Sequence, residues 1–144
     1  MEFSPPLGGN DGLKKRWRSG EYNNLINLRT KLLNIGGQEV VPIEEIHLEK
    51  LIKHGSVINS DSLQIINGGQ QHRCHQNCCY LYEENESITH IGTGWGLSND
   101  VLWRQHSWCM KGEKIIETTV PRKIYYGILF DENNVREFIK DIAR

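Results

Sequence analysis

The chain has 144 residues, 38% of them hydrophobic, and its 17 Lys and Arg against 18 Asp and Glu leave a formal net charge of −1. That length suits one domain, 1–144, with a core of its own. The near-neutral balance argues against nucleic acid as a partner, and no apolar run approaches the roughly 18–20 residues of a membrane span.

The opening MEFSPPLGGNDG has no charged segment followed by an apolar one, so no signal peptide is visible. The expected setting is cytoplasmic, and delivery as a secreted effector or toxin is also compatible with the sequence. Residues 1–12 read as a flexible arm. The basic run Leu13 to Arg18 carries one Trp, too little charge for a nucleic-acid patch.

From Glu21 to Ile35, Leu25, Leu28, Leu32 and Ile35 recur at helical spacing, and Gly36-Gly37 supplies a stop. Pro42 suits the first turn of a second helix, Ile43 to His54, with Ile43, Ile46 and Leu51 as its buried stripe and Gly55 at its end. Leu63 to Ile66 reads as a short strand or an extended lead-in, broken by Asn67-Gly68-Gly69.

Cys74 to Glu84 then reads as a helix with Cys74, Cys78 and Leu81 on one face. Ser87 to Trp95 is a strand. Lys123 to Phe130 is another, with Ile124, Tyr126, Ile128 and Phe130 on one face. Asp131 to Arg144 closes the chain as an amphipathic helix carrying Val135, Phe138, Ile139 and Ile142. Helices followed by strands predict an α+β fold with three or four antiparallel strands.

Between those last strands, Trp103 to Thr119 reads as a hairpin around Lys111-Gly112. Counting outwards from that turn sets His106 opposite Glu117, on a face shared with Trp108 and Ile115. Opposed side chains lie roughly 4.5–5.5 Å apart at Cβ. An imidazole beside a carboxylate is a general base with its orienting partner. A slip of one residue would separate them onto opposite faces.

The missing nucleophile is Cys74. Glycines just before it place it near a helix N-terminus, where free N–H groups and the macrodipole favour a thiolate. Four Cys with no secretion signal suit free thiols in a reducing compartment. Cys74's own N–H and the side chain of Gln70 or Gln71 are candidate oxyanion donors. Asn77 lies one turn after Cys74, where site contact competes with a local backbone bond. Trp95, Trp103 and Trp108 are candidate cleft walls, with core packing as their competing role. Arg104 shares the His106 face and reads first as a solvated side chain, with a substrate carboxylate as the competing role, whereas Arg122 reads as exposed.

The order Cys74, His106, Glu117 on helix, strand and next strand resembles the papain-like cysteine hydrolase superfamily. That group includes transglutaminase-like and NlpC/P60-like peptidases, amidases and deamidases. The resemblance covers Gly68 to Phe130, and the block CHQNCC…TGWGLSNDVLWRQHSW…IIETT looks like a compact bacterial branch. It implies a nucleophile helix packed on a small antiparallel sheet, with N-terminal helices before it and a C-terminal helix after. It also implies amide hydrolysis on a protein or peptide substrate through a Cys-His-Glu triad, with no cofactor and no metal. Many members carry Asp, Asn or a second His where Glu117 stands.

Two other readings compete. His72, Cys74, His75, Cys78 and Cys79 are dense in zinc-ligand types, with His90, His106 and Cys109 available to complete a set. A non-catalytic binding module on the same architecture is the other.

Overall fold

The computed structural model describes residues 21–58, 63–65 and 73–142. In chain order these form α1 (Glu21–Ile35), β1 (Glu39–Val40), α2 (Leu48–His54), β2 (Ser56–Val57), β3 (Leu63–Ile65), α3 (Cys74–Glu84), β4 (His90–Leu97), β5 (Leu102–Lys111), β6 (Lys114–Glu117), β7 (Ile124–Phe130) and α4 (Val135–Ile142). The described residues are thus α+β, with four helices and one mostly antiparallel seven-stranded sheet. The residues 1–20, with the expected arm and basic run, lie outside the described residues, as do Gln70, Gln71 and His72.

The sheet has more strands than the sequence predicts. Its order is β2-β7-β4-β5-β6-β3, and β1 pairs with β5 off this path. β1 and β2 are two residues each, too short for any alternation to show. β4 takes one edge of β5 from Trp103 to Met110. The other edge is shared: β1 runs parallel along Leu102 and Trp103, and β6 antiparallel along Cys109 to Lys111. Between them lies a stretch of β5 edge, Arg104 to Trp108, that pairs with no strand among the described residues.

The two faces of the sheet differ. One carries Ile91, Trp95, Leu97, Trp103, Cys109, Ile116, Tyr126 and Phe130, and the helices cover it. Leu28 and Leu32 of α1 and Leu48 and Leu51 of α2 join Trp95 and Trp103 in one cluster, while Cys78, Val135 and Phe138 join Cys109 and Phe130 in another. The opposite face carries Arg104, His106, Trp108 and Met110 of β5, set against Gly96, Gly94, Gly92 and His90 of β4. Trp108, Met110, Ile115 and Tyr125 form a smaller cluster there.

Several local expectations need correction: the strand expected at Ser87 to Trp95 runs from His90 to Leu97, and the final helix starts at Val135 rather than Asp131. The second helix begins at Leu48 rather than Ile43, and Ile43 and Ile46 are exposed while Leu51 is fully buried. The Glu45 carboxylate accepts the His47 N–H at 2.9 Å, a side-chain turn that displaces helical bonding at this point. The hairpin turn is Gly112-Glu113, with Lys111 opposite Lys114 and Met110 opposite Ile115. Gly112, at φ +60°, takes the first central position, as a II′ turn requires, not the second. The register therefore moves by two, so His106 and Glu117 become diagonal neighbours. A shift of two preserves the face, and diagonal pairs remain within reach of long side chains.

Candidate active site

Cys74 is the first residue of α3, which packs on the helix-covered face through Cys78. The helix start reaches the unpaired stretch of the β5 edge. There the Cys74 thiol comes within electrostatic reach of the Ser107 backbone N–H and of the His106 side chain, which projects from the opposite face. The gap between β1 and β6 thus lets a thiol on one side of the sheet meet an imidazole on the other.

His106 is fully buried, and its Nε2 meets Glu117 Oε1 at 2.8 Å. That leaves Nδ1 as the ring nitrogen not held by Glu117. Glu117 is fully buried and its oxygens are shared among several donors. Oε1 also accepts the Tyr125 hydroxyl at 2.7 Å, and Oε2 accepts the Thr119 N–H at 3.0 Å and its hydroxyl at 3.2 Å. The ring packs against Trp108, centroids 6.1 Å apart, and Tyr125, 6.0 Å, which also contact each other.

The electrostatics follow from these contacts. Burial works against ionisation of Cys74, but the hydrogen bond and charge of His106 and the Ser107 N–H outweigh it, and the thiol pKa falls below its ordinary value. Burial likewise disfavours a charged His106, yet the bonds to Cys74 and Glu117 raise its pKa. Glu117 loses solvation, but His106, Tyr125 and Thr119 hold its carboxyl below the usual range. These shifts favour the ionised form of each of the three groups over what an isolated side chain would show. The other cysteines of α3 go the other way: burial pushes Cys78 well up and Cys79 up to about 11. All four cysteines are free thiols.

A cleft of about 410 Å³ opens over the gap. Its walls come from Val41 to Ile43 after β1, Cys74 and His75 of α3, Arg104 to His106 of β5, and the segment after β6 that carries Thr119, Val120 and Arg122. Trp95, Trp103 and Trp108 are buried in the core and do not line it. Trp95 and Trp103 point under the helices, where the Trp103 indole donates to the Gly36 carbonyl at 2.8 Å. Trp108 packs beneath the His106 ring.

His75 turns away from its neighbour, bonding Ser107 Oγ and, at 3.4 Å, Gln105 Oε1. Ser107 Oγ is in turn 2.9 Å from Thr93 Oγ1. This chain ties α3 to β5 and β4 and fixes the helix start. Asn77 reaches Thr118 Oγ1 at 3.4 Å, joining α3 to the end of β6 rather than entering the cleft. Arg104 is held by both carboxylate oxygens of Asp100, at 2.9 and 2.8 Å.

Two site residues escape the sequence reading. Tyr125 is the second donor to Glu117. Arg122, expected to be exposed, is half-buried, and its Nη2 lies 3.5 Å from His106 Nδ1. The signal for Arg122 is the alternation of Gly92, Gly94 and Gly96 on the His106 face. A Cβ at Gly92 would lie 2.3 Å from the Trp108 indole, and one at Gly96 would lie 2.6 Å from Arg122 Cγ. Strand glycines of this kind mark the close approach of a neighbour.

Among the described residues no three His, Cys, Asp or Glu converge as metal ligands would, and no helix is long and apolar enough to cross a membrane. Comparison of the chain with protein-family models, with curated proteins and with solved structures finds no match.

Proposed function

We propose that the protein is a thiol hydrolase of papain-like type that cleaves an amide bond of a protein or peptide. The observation that carries this reading is the buried His106–Glu117 pair at 2.8 Å, whose imidazole faces a half-buried Cys74 in an open cleft and lowers that thiol's pKa.

In the first step the Cys74 thiolate forms an S–C bond to the amide carbonyl. The tetrahedral intermediate then breaks its C–N bond, and the proton on His106 passes to the leaving amine. Water attacks the thioester, giving its proton to His106. The C–S bond breaks, and the acid product leaves a thiolate again paired with imidazolium. Glu117 remains ionised throughout and holds the ring in register, while the Cys74 backbone N–H at the start of α3 is a donor for the oxyanion.

The test is hydrolysis of a fluorogenic peptide-amide library, with ammonia release from glutamine-rich casein measured in parallel. The reading expects turnover in one assay or the other that Cys74→Ala and His106→Ala each lower by about a thousandfold or more. Turnover that survives in purified Cys74→Ala protein contradicts it.

A further inference from the structure

Of the described side chains that line the cleft, two are Arg and two are His, and none is Asp or Glu. The chain as a whole is close to neutral, so this balance is a property of the cleft. The two arginines differ. The Arg104 fork is taken up by Asp100. Arg122 has no carboxylate partner among the described residues. Its Nη1 donates to the Val120 carbonyl, and its buried Nε has no partner among the described residues.

The placement of Arg122 is built rather than incidental. Its stem lies flat against Gly96 of β4, where any side chain would displace it. Its backbone N–H donates to the Tyr125 hydroxyl at 3.2 Å, the same hydroxyl that holds Glu117. The guanidinium is thereby fixed 3.5 Å from the one His106 nitrogen not bonded to Glu117. This sets a permanent cation beside a ring that carries positive charge in turnover, including the stage at which the Cys74 sulfur has bonded to carbon and no longer offsets it. Like charges so placed repel, and an anion seated beside both removes the conflict.

We propose that Arg122 is a substrate-binding residue and that the substrate carries a carboxylate within a few bonds of the carbonyl that Cys74 attacks. This specificity rests on the hydrolase reading. The guanidinium offers the remaining Nη protons as a fork to the carboxylate, a contact that a neutral substrate lacks.

The probe is a pair of alkylating reagents of nearly equal size, iodoacetate and iodoacetamide, which differ in the carboxylate. Each forms the same S–CH2 bond with loss of iodide. Rates at Cys74 are measured site by site by mass spectrometry, and the iodoacetate-to-iodoacetamide ratio is divided by that of free cysteine. The proposal expects a normalised ratio of about ten or more, the gain of one charge-assisted contact in a partly buried cleft. Arg122→Ala should bring it to within about twofold of free cysteine, while Arg122→Lys should retain part of the gain. Gly96→Ala, which keeps every charge but pushes the stem aside, should also lower it.

A normalised ratio near one in the native chain overturns the proposal, whether or not Arg122→Ala folds. An elevated ratio that Arg122→Ala leaves unchanged overturns it too. The absolute iodoacetamide rate at Cys74 judges the hydrolase reading separately. A fast rate with a ratio near one removes the carboxylate clamp alone, and a slow rate with a high, Arg122-dependent ratio keeps the clamp and removes the nucleophile.

Discussion

Tyr125 donates its hydroxyl proton to Glu117 Oε1 at 2.7 Å, the oxygen that also holds His106. One carboxylate oxygen thus serves two donors, and the tyrosine decides where that oxygen sits. Tyr125→Phe removes a bond to a buried charge. It should cost about 1.5–3 kcal/mol in urea denaturation. Because Tyr125 acts through Glu117, histidine NMR should also show His106 titrating at a changed pH. A stability loss with an unmoved His106 titration would leave Tyr125 a packing residue only.

Glu117 itself should separate charge from shape. Glu117→Gln keeps an acceptor oxygen near His106 Nε2 but removes the counter-ion, so the His106 pKa should fall. Glu117→Ala leaves a buried imidazole without its partner and should destabilise the fold by about 3–5 kcal/mol. Equal stability of the two variants by denaturant titration would argue against a buried ion pair.

The pH dependence of stability has a definite sign at each end. Glu117's folded-state pKa lies below its ordinary value, so its contribution is present above the ordinary carboxylate pKa and is lost as pH falls through the depressed one. His106's folded-state pKa lies above its ordinary value. Its contribution is complete below the ordinary imidazole pKa and is lost as pH rises through the raised one. Urea midpoints should therefore form a plateau with a fall on both sides, and Glu117→Gln should flatten the acid limb. An unchanged acid limb in that variant would contradict the assignment.

Gly92 should be intolerant of a methyl group. A Cβ there meets the Trp108 indole at 2.3 Å, and the indole is already wedged against Gly127. Gly92→Ala should cost about 1–3 kcal/mol as overpacking. It should also slow Cys74 alkylation, because Trp108 supports the His106 ring. Unchanged thermal stability would mean that the indole is free to move.

The order of chemistry-bearing residues is legible because its signals are local. α1 and α3 match their expected spans, since apolar spacing and flanking breakers mark them. His106 and Glu117 keep a common face because an even register shift preserves parity, even though the turn sits one residue later than expected.

The tryptophans mislead because an aromatic residue on a strand reads the same in a core as in a cleft. Only the placement of α1 and α2 over Trp95 and Trp103 decides between them. Arg122 is illegible from its own neighbourhood. Its approach to His106 depends on β7 returning beside β4, a long-range pairing that brings Tyr125 opposite Gly96.

The measurement that bears most directly on the central claim is the pH dependence of iodoacetamide alkylation at each of the four cysteines, resolved by mass spectrometry, in the native chain and in His106→Ala. Cys74 should react quickly well below the ordinary thiol pKa of about 8.5, while Cys79 stays slow, and Cys74 should lose this advantage in His106→Ala. A Cys74 that titrates like an ordinary thiol, or that keeps its reactivity without His106, would contradict a thiolate–imidazolium pair and with it the proposed hydrolase.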